Sequence, residues 1–191
     1  MEKVNLTLLI IVGSDKLDIT RYNRIIIVGN SGSGKSFFAK ELSTITGLPL
    51  IHLDVEYWRP NWEKTPKEEW LKKQIDIVSK DKWIIDGNYN STIELRYKVA
   101  DLIIFLDINR FTCLISALKR HGTKRTDLPQ YLEEKFDFEF IKFCNWIWSF
   151  SKTGRKTIME MHKKYPDKPF LILKNRRKLQ KILVGWRNET K

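Results

Sequence analysis

The sequence predicts a doubly wound α/β fold, and three observations predict it. Short, almost uninterrupted apolar runs suit a parallel sheet covered on both faces. Segments with helical apolar spacing alternate with those runs. At one strand-to-helix junction stands the octet GNSGSGKS, residues 29–36, made almost entirely of glycine, serine and one lysine. Crossovers between the parallel strands are expected to be right-handed.

Strands are expected at 6–12, 24–28, 48–53, 83–85, 102–106 and 170–173. The first lies in an N-terminal extension, 1–23, read as an added edge strand or a flexible tail. Its apolar run lacks a basic flank and a small-residue cleavage site, and it is too short to cross a bilayer. After the octet, Phe38, Leu42 and Ile45 keep helical spacing until Gly47-Leu48-Pro49 ends the helix. In TPKEEWLKKQIDIV, Thr65 is the expected N-cap, Pro66 the first helical residue and Glu68 the closing member of a capping box. Leu71, Ile75 and Val78 are its expected buried face. Phe111, Leu114, Ile115 and Leu118 mark a further helix that runs into the basic stretch KRHGTKR. Phe136, Phe140, Phe143, Ile147 and Phe150 mark another, whose aromatic stripe reads as core.

The chain of 191 residues, 42% hydrophobic with seven Trp, holds one sizeable core and is too short for two ordinary domains. Cys113 and Cys144 sit among apolar neighbours without any CxxC or Cys/His cluster, so both read as thiols of a soluble, cytoplasmic protein. Residues 1–109 contain 15 basic and 15 acidic side chains, whereas 110–191 contain 20 against 8. The entire net charge of +12 therefore lies in the second part. It suits a cationic cover over a polyphosphate, a nucleic-acid surface, or a solvated basic face.

The octet satisfies G-x-x-x-x-G-K-[ST]. Such a loop curls its N–H groups around phosphate oxygens, and the following helix adds its positive end. Gly29, Asn30, Ser31, Gly32, Ser33, Gly34, Lys35, Ser36 and Phe37 are the expected nucleotide-binding residues. Lys35 would reach the β- and γ-phosphates, and the Ser36 hydroxyl would ligate Mg²⁺. A guanine-reading NKxD segment is missing, as are the signature segments and length of transporter or helicase ATPases. A small ATP-dependent kinase fits best, and three segments agree with it. Asp54, at the end of LIHLD, would orient or deprotonate an acceptor hydroxyl, or hold a Mg²⁺-bound water. Asp86, ending WIID, would hold Mg²⁺ through water. In KRHGTKR, Arg120 and Arg125 would neutralise charge on the transferred phosphoryl group. Each also has a plainer reading, as a turn-forming Asp or an exposed basic turn.

Together, GNSGSGKS, HLD, YWRPNW, TPKEEW, WIIDGNY, ADLIIFLD, NWIWSF and FLILKNRR resemble the adenylate kinase-related DNA topology modulation proteins (FlaR-like), over roughly residues 24–184. The resemblance implies a P-loop NTPase of the nucleoside monophosphate kinase-like three-layer fold, with a five-stranded parallel sheet and a short helical lid. It implies a single domain over 24–191, with an acceptor-binding segment at 54–80 and a lid at 110–135. Arg120 and Arg125 resemble lid arginines, Arg155 the arginine after the lid, and Lys174-Asn175 the adenine-side loop. One departure bears on the acceptor. Adenylate kinases carry a phosphate-holding arginine soon after the Asp-Gly of the third strand, but here Arg96 stands ten residues beyond Asp86. In EYWRPNW, Trp58, Arg59 and Trp62 either stack on a planar acceptor or cap the core.

The expected function is ATP- and Mg²⁺-dependent phosphotransfer to a nucleotide, nucleoside or similar small acceptor. The alternative is an ATP-gated DNA-binding or regulatory protein, which rests on the family name and the basic second part. It lacks a helix-turn-helix, zinc or RNA-binding signature.

Overall fold

The structure, a computed structural model, describes residues 10–12, 17–120 and 138–190. Six strands form one parallel sheet: β1 (Ile10–Val12), β2 (Arg24–Gly29), β3 (Leu50–His52), β6 (Trp83–Asp86), β7 (Leu102–Leu106) and β8 (Phe170–Leu173). Their order is β1-β8-β7-β2-β6-β3, so the predicted parallel sheet is present from β2 onward with β1 added at the β8 edge. A two-stranded antiparallel hairpin, β4 (Trp58–Arg59) and β5 (Glu63–Lys64), stands apart from it. The chain leaves β2 towards β3 on one side and returns to β7 on the other. The C-terminal end of β2 is therefore the switch point at which open α/β sheets bind ligands.

Period-two alternation splits the strand side chains between two cores. Ile25, Ile27, Ile84, Leu102, Ile104 and Leu171 face one. Against them pack α1 (Lys35–Thr46), α5 (Arg110–Arg120), α6 (Phe138–Ser149) and α8 (Arg176–Glu189). Ile26, Val28, Trp83, Ile85, Ile103 and Phe105 face the other. That face is covered by α3 (Lys67–Val78), α4 (Ile93–Val99) and α7 (Gly154–Lys164). The result is three layers. Among the described residues no helix is long and apolar enough to cross a membrane.

Four local expectations need correction. Strand β3 stops at His52, and Leu53 opens a short helix, α2 (Leu53–Tyr57); Asp54 therefore lies in a first helical turn and not at a strand end. Thr65 does not cap α3: its hydroxyl donates to the Tyr57 carbonyl, Pro66 takes the cap position, and no capping box forms. Helix α3 buries Trp70, Gln74 and Ile77, while Leu71 and Ile75 are exposed. The cause is Gln74, a polar residue buried because its amide oxygen accepts from the equally buried Arg96. Helix α5 buries Cys113 and Ala117 and exposes Phe111, Ile115 and Leu118. Small side chains there let its backbone approach the glycine loop. The aromatic stripe of α6 does behave as read, with Phe140 and Ile147 buried and Phe143 packed against the core, while Phe150, just past the helix, is buried in the other core; Phe136 lies outside the described residues.

Both cysteines are free thiols, and burial pushes Cys113 up to about 11. His162, on α7, is buried and stacked on Phe170 at 4.3 Å, and neither ring nitrogen has a hydrogen-bond partner among the described residues. Burial lowers its pKa, so the folded state holds it neutral while the unfolded chain takes up a proton near pH 6.5. Stability is therefore expected to fall as pH drops below about 6.5, and the fall is expected to shrink in His162→Phe. Thermal melts of both proteins between pH 5 and 8 check this.

Candidate active site

The octet links β2 to α1. Gly34 (φ 96°) caps α1, and Lys35 and Ser36 begin it. Asn30 and Ser33 are buried within the loop, and Phe37 is exposed on the helix. Asn30 Nδ2 donates to the Ile147 carbonyl of α6 at 2.9 Å, and Lys35 Nζ folds back to the Asn30 carbonyl at 3.0 Å. Gly32 (φ 74°) lies against α5, where a Cβ would stand 2.2 Å from the Cys113 carbonyl oxygen. Arg176, the first residue of α8, donates to the Gly32 carbonyl at 2.9 Å. The loop is thus gripped by three helices beyond its own.

The next turn, Asp86-Gly87-Asn88-Tyr89, joins that loop to Asp54. Asp86 Oδ2 lies 3.1 Å from His52 Nδ1. Its Oδ1 is buried with no hydrogen-bond partner among the described residues, and the same holds for Asn30 Oδ1 and Ser33 Oγ. Gly87 (φ 137°) passes so near α2 that a Cβ would stand 2.9 Å from Leu53 Cβ. Asn88 engages both backbone groups of Gly29: its Oδ1 accepts from the N–H at 3.0 Å, and its Nδ2 donates to the carbonyl at 2.8 Å. The Tyr89 hydroxyl donates to Asp54 Oδ1 at 2.8 Å. Burial, followed by the neighbouring Asp54 charge, raises the Tyr89 pKa, which keeps the phenol a donor.

Arg96 braces this turn from behind. It is fully buried, donating to Gln74 Oε1, to Thr92 Oγ1 at 3.1 Å and to the Asn88 carbonyl. Burial pulls its pKa down to about 9, so it remains a cation at neutral pH.

On the other side of Asn30, Arg155 grips Asp107 through Nε (3.1 and 3.3 Å to its two oxygens) and Nη2 (3.2 Å). Both border a cavity of about 390 Å³ that Asn30, Asn109, Arg110 and Phe150 also line. Arg120 is the last residue of α5, and the stretch 110–120, expected to open the lid, packs into the core through Cys113 and Ala117. Arg125 lies outside the described residues. Asn175 Oδ1 caps α8 by accepting from the Lys178 N–H at 2.9 Å. In the acceptor segment, Tyr57 packs edge-on against Trp70 at 5.0 Å and tilts against Tyr89 at 4.7 Å. Trp58 meets Trp62 edge-on at 5.5 Å, and Arg59 pairs with Glu69.

No protein-family profile matches the chain. A cytidylate kinase from Thermoplasma volcanium is 26% identical over 128 residues, which cover 59% of this chain and 67% of that protein. The shikimate kinase of Acinetobacter baumannii, solved with shikimate, aligns with a TM-score of 0.54 at 14% identity, over 88% of this chain and 96% of that one. The shikimate kinase of Bacteroides thetaiotaomicron aligns with a TM-score of 0.53 at 14% identity, over 88% and 98%. The chain has the P-loop kinase fold.

Within the P-loop kinase fold, the octet, Asp54 and Asp86 singled out in the sequence all stand at or just past the C-terminal ends of the strands β2, β3 and β6. The sequence reading missed Asn88 and Tyr89, although a polar turn directly after a strand-ending Asp-Gly was a usable signal. Arg96 was noticed only for its distance from Asp86, yet Ile93 and Tyr97, its neighbours on α4, mark a buried face. For His52 and Arg176 the sequence offered no separate signal.

Proposed function

We propose that the protein is an ATP-dependent phosphotransferase acting on a small hydroxyl-bearing acceptor. The observation that carries this reading is the turn 86–89, which links the phosphate loop through Asn88 to the carboxylate of Asp54 through Tyr89. Donor loop and acceptor-side carboxylate are thereby held in one rigid unit, as in-line transfer requires. The cytidylate kinase and shikimate kinase likenesses support the same class of chemistry. The set of segments shared with the DNA topology modulation proteins leads us to read the chain as their relative, with phosphotransfer as its activity. No observation favours the DNA-binding alternative over this one.

In this reading the loop N–H groups and Lys35 bind the donor phosphates, Lys35 leaving the Asn30 carbonyl to do so. Asp86 and the Ser36 hydroxyl fit Mg²⁺, because Asp86 Oδ1 is buried and unpartnered among the described residues. The ion would supply charge neutralisation on the β- and γ-phosphates. Arg155, beside Asn30, is the guanidinium best placed to meet the transferring group once it leaves Asp107, with Arg120 and Arg125 as further candidates. Arg176, which touches the loop at Gly32, and the neighbouring Asn175 would meet the adenosine half. Asp54 orients the acceptor hydroxyl and takes its proton.

Asn88→Ala removes both bonds to Gly29 and is expected to weaken ATP binding about tenfold, or 1.4 kcal/mol, with the fold intact. Calorimetric titration and circular dichroism check this pair of outcomes. The reading as a whole is tested by ADP release from Mg·ATP across a panel of hydroxyl acceptors. Release that rises saturably with one acceptor, and is lost in Lys35→Ala, supports it. Release indifferent to every acceptor refutes it.

A further inference from the structure

Among the described residues, three cations reach the elements that carry Asp54 and Tyr89, and each is already engaged. Lys73 donates to the Glu56 carbonyl at 2.9 Å and pairs with its carboxylate at 3.1 Å, on the same short helix as Asp54. Arg59, on the hairpin that follows, pairs with Glu69. Arg96, where a phosphate-holding arginine would be sought, is sealed behind the turn with its guanidinium on Gln74, Thr92 and Asn88. It has no exposed surface to offer a ligand. What α2 presents instead is acidic, with Asp54 and Glu56 in its first turn.

An acceptor carrying its own phosphate would set a dianion beside those carboxylates, and Lys73 or Arg59 would have to leave its own carboxylate to meet it. A neutral hydroxyl has the opposite fit. The Tyr89 hydroxyl fixes Asp54 through Oδ1, and the acceptor hydroxyl is assigned to the second carboxylate oxygen, Oδ2. From the Tyr89 ring a row of aromatic rings runs through Tyr57 (4.7 Å) and Trp58 (5.0 Å) to Trp62 (5.5 Å), the last 37% exposed, a surface suited to a flat ring.

We infer that the acceptor is an uncharged, flat-ringed polyol of the nucleoside class, not a nucleotide, and that Tyr89 positions Asp54 to receive its hydroxyl. The inference rests on the phosphotransfer reading above. In the step, the acceptor oxygen forms a bond to the γ-phosphorus of ATP as the bond from that phosphorus to the β,γ-bridging oxygen breaks. ADP departs with the electron pair, and the hydroxyl proton passes to Asp54 Oδ2. Tyr89 touches no reacting atom and is a positioning residue.

The test measures ADP release from Mg·ATP with each common ribo- and deoxyribonucleoside and with its 5′-monophosphate, alongside a direct ATP titration, for the wild type and Tyr89→Phe. The expected result is a kcat/KM at least about tenfold higher for one nucleoside than for its monophosphate. Tyr89→Phe is expected to lower kcat more than it raises KM. A monophosphate used as well as or better than its nucleoside overturns the acceptor class and leaves the kinase reading standing. Tight ATP binding with no turnover on any nucleoside also overturns it. Failure to bind ATP sinks the kinase reading itself. An unchanged kcat in Tyr89→Phe, or a loss that lies wholly in KM, overturns the positioning role.

Discussion

Asp54→Asn is expected to lower acceptor-dependent turnover by about 10²–10⁴-fold while leaving ATP affinity within about twofold of the wild type. Asparagine keeps the size of the side chain and can still accept from the Tyr89 hydroxyl, so α2 and the turn 86–89 should hold their places. What it removes is the anionic oxygen proposed to receive the acceptor proton. The loss should therefore appear in kcat, with circular dichroism and melting temperature unchanged. A variant that retains full kcat would show that Asp54 is a turn-forming residue and that the proton leaves by another route. Steady-state kinetics and calorimetric ATP titration on the same preparation separate these outcomes.

Gly32→Ala is expected to cost about 2–5 kcal/mol of stability and to abolish measurable ATP binding. Two penalties combine at this position. The backbone is in the left-handed region at φ 74°, and the added Cβ would stand 2.2 Å from the Cys113 carbonyl oxygen, a backbone atom of a packed helix. Neither α5 nor the loop can yield without disturbing the other, since Arg176 ties the Gly32 carbonyl to α8 as well. For a domain of this size the melting temperature should drop by roughly 5–20 °C. Gly34→Ala provides the contrast: φ is also positive, but a Cβ there meets nothing within 4 Å, so only the backbone penalty applies. Thermal melts of both variants, each with and without Mg·ATP, check the difference.

The sheet was legible because its strands are buried on both faces, and continuous apolar runs such as RIIIV and LIIFL have few other uses in a folded chain. The phosphate loop was legible because left-handed backbone at Gly32 and Gly34 demands glycine, which leaves its mark in the sequence. Apolar periodicity failed on α3 and α5 for related reasons. On α3 the inward position belongs to Gln74, whose burial is stabilised by a hydrogen bond to Arg96 from a different helix, and no local pattern reports that. On α5 the inward positions belong to Cys113 and Ala117, chosen for close backbone approach and not for hydrophobic bulk. Thr65 followed a sound local rule, yet its hydroxyl was claimed by the Tyr57 carbonyl at the base of the hairpin. Asp86 and Asp54 were singled out because each follows an apolar run read as a strand; the structure keeps that place for Asp86 and puts Asp54 in the first turn of α2. The residues that join them, Asn88 and Tyr89, act through bonds spanning 59 and 35 positions in the chain and become visible only in three dimensions.

The measurement that bears most directly on this account is the fate of the terminal phosphoryl group. Mg·ATP labelled at the γ-phosphate would be incubated with the protein and the best acceptor from the panel, and the labelled products separated. The account predicts label on the acceptor hydroxyl, with release to water a small fraction of the total, and with both lost in Lys35→Ala. Label found only in inorganic phosphate, at a rate the acceptor does not change, would contradict it.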